Sequence, residues 1–130
     1  MDEVEVINYE EQKSQASVIR WFNLAYSHIA NLLYHIPNGQ NVGPKVGARL
    51  KNMGLRPGVP DLCLSIPKMD GRTVIPSLFI EMKSSRGQLT QQQRQMKELL
   101  ETQGHRVVVC RSFEEAINAI EEYLALPHPQ

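Results

Sequence analysis

Residues 58–83 read GVPDLCLSIPKMDGRTVIPSLFIEMK, and this stretch decides the fold. Two apolar-rich runs, Asp61 to Ile66 and Val74 to Lys83, flank Asp70-Gly71, a dipeptide suited to tight turns because glycine accepts positive φ. The pattern predicts a β-hairpin. Pro67 and Pro76 cannot donate to a ladder, so its tip is expected to be irregular. A chain folding about Gly71 brings Asp61, ten residues before it, opposite Glu81, ten residues after it. Because side chains alternate along a strand, Glu81 and Lys83 share one face while Ile80 and Met82 take the other.

Before the hairpin, Val18, Ile19, Phe22, Ala25, Ile29, Leu32 and Leu33 recur at helical spacing, which predicts a first helix from Glu10 to about Ala30. A short strand over Leu33 to Ile36 follows, ended by Pro37-Asn38-Gly39. Lys45 to Met53 then reads as a second amphipathic helix, with Gly54 in the position of a C-cap. After the hairpin, Thr90 and Gln93 have the form of a capping box and open a helix that carries Met96, Leu99 and Leu100 inward and ends near Gly104. Arg106 to Cys110 is a Val-rich strand. Ser112 with Glu115 is another capping box and opens a last helix through Leu124, and the tail Pro127 to Gln130 is expected to fray. The predicted class is therefore α/β, a mixed central sheet flanked by helices.

A chain of 130 residues, 42% hydrophobic and 22% charged, fills one core and leaves no room for a second domain, so one domain over 1–130 is expected, its core about 10–124. No run approaches the ~18 apolar residues of a membrane span, and the N-terminus lacks the form of a signal peptide. A soluble, intracellular protein is expected. Cys63 and Cys110 lie in strand-like segments with no zinc spacing, which predicts buried free thiols. Formal net charge is zero, but its distribution is uneven. Residues 1–11 hold five of the fourteen acids, whereas Gln12 to Pro60 has none and carries Lys13, Arg20, Lys45, Arg49, Lys51 and Arg56. Such a segment is either a solvated basic face or a surface for phosphates.

Two carboxylates and an ammonium on one patch of sheet have a specific use. Held close, Asp61 and Glu81 repel unless a cation lies between them, and hard oxygen ligands suit Mg²⁺ or Mn²⁺. The main-chain carbonyl of Met82 lies between Glu81 and Lys83 in sequence and is a candidate further ligand. Lys83 can orient water or stabilise negative charge developing on a phosphate.

GVPDL followed by FIEMK, with Asn38-Gly39 before and GQLTQQQ after, resembles the VRR-NUC family of PD-(D/E)XK nucleases, most nearly its minimal stand-alone form in phages and bacteria. The likeness runs from about Glu10 to Leu124. It implies a restriction-endonuclease-like sheet, metal binding by Asp61 and Glu81, and a catalytic Lys83. It also implies a metal-site acid on the first helix, matched best by Glu11 with Glu10 as the fallback, and a catalytic Gln soon after the Lys, matched by Gln93. Short free-standing members resemble Holliday-junction resolvases, which implies branched DNA as substrate, a homodimer, and the cytoplasm of a bacterial or phage-infected cell. Asn38, Gly39, Lys45, Arg49, Lys51, Arg56 and Arg86 are the candidate DNA contacts.

Each feature has a plainer explanation beside the functional one. Glu81 could form a surface salt bridge with Lys83 or Arg86, worth about 0–1 kcal/mol, but that leaves Asp61 unexplained. Gln93 is accounted for by its capping box, Glu11 by the helix dipole, Asn38-Gly39 by a turn. His28 and His35 read as incidental rather than metal ligands, and Trp21 and Tyr26 as core or subunit-contact residues rather than stacking platforms. The rival to a structure-dependent endonuclease is a catalytically silent DNA-binding or scaffolding subunit with the same fold.

Overall fold

The computed structural model describes residues 2–38 and 42–130. Its elements are α1 (Glu3–Ala25), a 3-10 turn (Ser27–Leu32), β1 (Leu33–His35), α2 (Pro44–Asn52), β2 (Leu62–Leu64), β3 (Lys68–Asp70), β4 (Thr73–Ile75), β5 (Leu78–Met82), α3 (Gln91–Thr102), β6 (Arg106–Cys110) and α4 (Phe113–Leu124). The main sheet runs β1-β2-β5-β6, antiparallel through β5 and parallel between β5 and β6. This is the mixed sheet flanked by helices that the sequence predicts.

The hairpin forms in two parts. In the main sheet Leu62 pairs with Ile80 and Leu64 with Leu78, the register expected from folding about Gly71. Beyond them β3 and β4 make a separate two-stranded ribbon in which Lys68 pairs with Ile75 and Asp70 with Thr73. Between the two, Ser65, Ile66 and Pro67 face only Pro76 and Ser77, so the register shifts by one residue. Both prolines sit at this break, where a missing N–H costs no ladder bond.

Leu62, Leu64, Leu78, Ile80 and Met82 are essentially inaccessible to solvent and pack with Val18 and Phe22 of α1 and Ala116, Ile120 and Tyr123 of α4. Each such Leu or Ile contributes about 1.5–3 kcal/mol by leaving water. Phe22 stacks on Tyr26, with Trp21 edge-on to Tyr26, so these aromatics are structural within the chain. Tyr123 donates its hydroxyl to the Ile66 carbonyl at 2.6 Å. Cys63 and Cys110 are free and buried, as predicted.

Three boundaries differ from expectation. The first helix begins at Glu3, not Glu10, because Asp2 and Glu5 form a capping box, Asp2 accepting the Glu5 N–H at 2.8 Å. Its first two turns carry no core stripe, and Val4 and Tyr9 are exposed, so apolar periodicity could not detect them. The helix also stops at Ala25 and tightens into the 3-10 turn rather than continuing to Ala30. At the other end the tail is tied down where it starts, the Pro127 carbonyl accepting from the Met69 N–H at 2.8 Å.

Candidate active site

The start of β2 and the end of β5 lie side by side, and each acid is held there by a different element. Asp61 precedes β2. Its Oδ2 accepts the Met82 N–H at 2.8 Å, and its carbonyl accepts the Ile36 N–H at 2.8 Å, so it is tied to both neighbouring strands. Glu81, on β5, is buried, and its Oε1 accepts from Gln93 Nε2 at 3.0 Å. Gln93 therefore does two things at once. Its Oε1 accepts the Thr90 N–H at 2.9 Å, completing the predicted capping box, while its nitrogen reaches Glu81.

The two carboxyls lie close to one another, and that proximity shapes their acidity. Burial, reinforced by the charge of Asp61, pushes Glu81 up to about 9, against the opposing pull of Lys83. Burial also raises Asp61, offset by the Met82 N–H, by Glu81 and by the charges of His35 and Lys83. At neutral pH the pair thus holds one proton rather than carrying two charges.

Lys83 is buried at the end of β5, where its N–H extends the parallel ladder to the Cys110 carbonyl at 2.9 Å. Glu11 reaches the same region from α1, its Oε1 accepting the Ser84 N–H at 3.3 Å. Burial raises its pKa, with Ser84, Lys83 and Arg111 working the other way. Glu10, the fallback, is exposed and meets nothing at the site. Met82 meets the site through its N–H.

Two glycines permit this packing. A Cβ on Gly87 would stand 2.9 Å from Glu11 Oε1 and 3.4 Å from Lys83 Cδ. A Cβ on Gly58 would run into the Gln92 carbonyl and lie 2.9 Å from the Gln93 nitrogen, and its φ of 83° adds a second reason for glycine. Gly58 thus lets the loop before Asp61 touch the start of α3, which delivers Gln93.

Sequence reasoning missed several contributors. Arg111 donates Nη1 to the carbonyls of Ser84 at 2.9 Å and Gly87 at 2.6 Å, fixing the loop after Lys83. His35 Nδ1 lies 2.9 Å from the Asp61 carbonyl and 3.0 Å from the Gln15 amide. No local signal marks these residues, because each acts on a segment at least twenty positions away.

The predicted DNA contacts are more scattered. Asn38 lines the cleft beside Asp61, and Gly39 lies outside the described residues. Lys45, Arg49 and Lys51 are exposed on α2, and Arg56 is exposed in the loop that follows. Arg86 is exposed and pairs with Glu3 at 3.6 Å.

Among the described residues, no three His, Cys, Asp or Glu side chains are gathered closely enough to hold an ion by themselves. The donor chemistry nevertheless fits a hard divalent cation. Asp61 and Glu81 are adjacent, and the proton that burial and Asp61 hold on Glu81 stands where a cation would balance the charge. Ser84 Oγ, buried with no hydrogen-bond partner among the described residues, adds a further oxygen next to Glu11 and Lys83.

Comparison with known proteins accords with this geometry. The family model for the VRR-NUC domain matches residues 3–114. No curated protein matches the chain closely enough to count as a relative. A solved structure described as "VRR_NUC domain protein" superposes with a TM-score of 0.73 at 24% identity, over 92% of this chain and 91% of that one, which speaks for the fold. With an acid before β2, an acid and a lysine at the end of β5, and a family match spanning most of its length, the chain belongs to the VRR-NUC family, a PD-(D/E)XK type of nuclease.

Proposed function

We propose that this chain is a metal-dependent, structure-specific DNA endonuclease that hydrolyses phosphodiester bonds in branched DNA such as Holliday junctions, working as a homodimer. The observation that carries this reading is the buried Glu81 carboxyl set against half-buried Asp61 and beside buried Lys83, since a stabilising role alone gives no reason to bring two carboxyls together next to an amine. Asp61 and Glu81 would hold Mg²⁺ or Mn²⁺, with Glu11 and the Met82 carbonyl as further ligands. A bound ion of this kind supplies a Lewis acid for a phosphoryl oxygen and makes bound water more acidic. The side chains do the rest. Lys83 stabilises negative charge developing on the phosphate, while Gln93 keeps the Glu81 carboxyl in place through its Nε2.

Lys45, Arg49, Lys51, Arg56 and Arg86, with Asn38 and Gly39, would position the DNA through its phosphates. Phosphate contacts carry no sequence information, which favours recognition of shape. Two-fold symmetry would present paired active sites to the symmetric strands of a four-way junction.

The test is a fluorescent four-way junction, with flap, duplex and single-stranded controls, incubated with Mg²⁺ or Mn²⁺. Wild type should nick the junction in preference to the duplex, and Lys83→Ala should bind it without cutting. Binding without cleavage by wild type, whichever divalent ion is supplied, would instead mark a silent DNA-binding subunit. Sedimentation of the free protein reads the oligomeric state.

A further inference from the structure

A cleft of about 550 Å³ opens beside Asp61 between α1 and the end of β1. Asn8, Gln12, Gln15 and Ile19 line it from α1 at steps of four, three and four residues, which puts them on one helix face. Opposite stands His35, whose Nδ1 must donate to the Asp61 carbonyl, an acceptor only. Gln15 Nε2 lies 3.0 Å from that same nitrogen and, being itself a donor, packs against His35 without bonding to it, so the two walls touch next to Asp61 of the acid pair.

The lining has a definite chemical character. Three neutral amides on α1 and that of Asn38 can each donate and accept, matching the mixed edge of a nucleobase, while Ile19 offers an apolar surface for a ring face. The inner end is formed by Glu11 and Asp61, proposed above as metal ligands, which sets the cleft beside the scissile phosphate. Arg20 at the cleft suits the next phosphate along a strand. The size falls within the roughly 300–1,000 Å³ of sites that enclose small ligands.

We propose that this cleft binds the base of the nucleotide adjoining the scissile phosphate, and that it accepts the base only when unpaired. The inference rests on the nuclease reading and specifies the state of its substrate at the cut. A paired base keeps its edge in the duplex and its faces in the stack, so it cannot pass between a helix and a strand. An unpaired one enters with its ring along Ile19 and its edge toward Gln12 and Gln15.

Two measurements test this. First, cleavage is compared on otherwise identical DNA in which the nucleotide beside the cut is paired, unpaired or abasic. The unpaired substrate should have the highest kcat/KM, and removing its base should cost wild type about tenfold, the scale of one lost base contact. In Gln12→Ala and Ile19→Ala, that base-dependent factor should shrink. Equal rates on all three substrates would overturn the proposal while leaving the nuclease reading intact. Second, Lys83→Ala protein is mixed with DNA carrying 2-aminopurine at this position, and its fluorescence is followed without any need for cleavage. Emission should change on binding when the probe is unpaired, and adding Gln12→Ala should abolish the change. If no DNA is cut at all, the nuclease reading falls and this signal alone decides the cleft. An unpaired probe whose emission stays constant on binding overturns the proposal.

Discussion

Gln93 Nε2 stands 3.0 Å from Glu81 Oε1, and the other end of the same amide closes the first turn of α3. One side chain therefore couples a helix start to the acid pair. Gln93→Ala loses both bonds and should destabilise the fold by about 1 kcal/mol. Gln93→Glu can still cap Thr90 but places a carboxylate where Glu81 receives a hydrogen bond. Urea denaturation should show the Glu variant near wild type and the Ala variant below it, while both lose nicking activity. A fully active Gln93→Glu would show that the contact with Glu81 is only structural.

Glu81 is pushed up to about 9 by burial and by Asp61, which makes metal-free stability depend on pH. The unfolded chain gives up this proton in the ordinary carboxylate range, whereas the folded chain keeps it until about 9. Between those limits the folded state binds more protons, so its stability falls as pH rises. Denaturation midpoints measured in chelator from pH 5 to 9 should decline for wild type. Glu81→Gln should flatten that slope and be the more stable protein at the alkaline end. Equal slopes would mean that Glu81 ionises normally.

Gly58 carries the close approach between the loop before Asp61 and the start of α3. Gly58→Ala adds a methyl against the Gln92 carbonyl at a positive φ, and should cost about 1–3 kcal/mol while displacing Gln93. Gly43 is the matched control, because a Cβ there meets nothing within 4 Å. Thermal melts of the two variants, with nicking assays, should separate them clearly.

Arg111 holds two carbonyls of the loop after Lys83. Arg111→Met keeps much of the side-chain stem but removes both charge-assisted bonds, for an expected loss of about 1.5–3 kcal/mol. The Ser84 N–H that meets Glu11 sits on this loop, so activity should fall further than stability alone predicts. Nicking measured well below the melting temperature checks this. Unchanged activity there would mean that the loop keeps its shape without Arg111.

Adding salt from about 50 to 200 mM should weaken DNA binding steeply if the exposed cations of α2 touch phosphates. Lys45→Ala and Arg49→Ala should each reduce the slope of log affinity against log salt by about one, read by fluorescence anisotropy. An unchanged slope in both variants would place the DNA elsewhere.

What the sequence determined by itself was local. Turn chemistry at Asp70-Gly71 and alternation along each strand were enough to place Leu62 opposite Ile80 and to bring Asp61 toward Glu81, because a hairpin leaves few registers in which its apolar face is buried. The capping boxes at Thr90 and Asp2 are equally local, although only the first was read, since the helix start at Asp2 lacks the core-facing stripe that draws attention to a helix. The tertiary structure decided everything that depends on the approach of distant segments: Glu11 rather than Glu10 at the site, the second bond of Gln93, the loop fixed by Arg111, and the joining of Gln15, His35 and Asp61 around a cleft. Those contacts cross helix and strand packing angles set by the whole core, and no spacing along the chain encodes them.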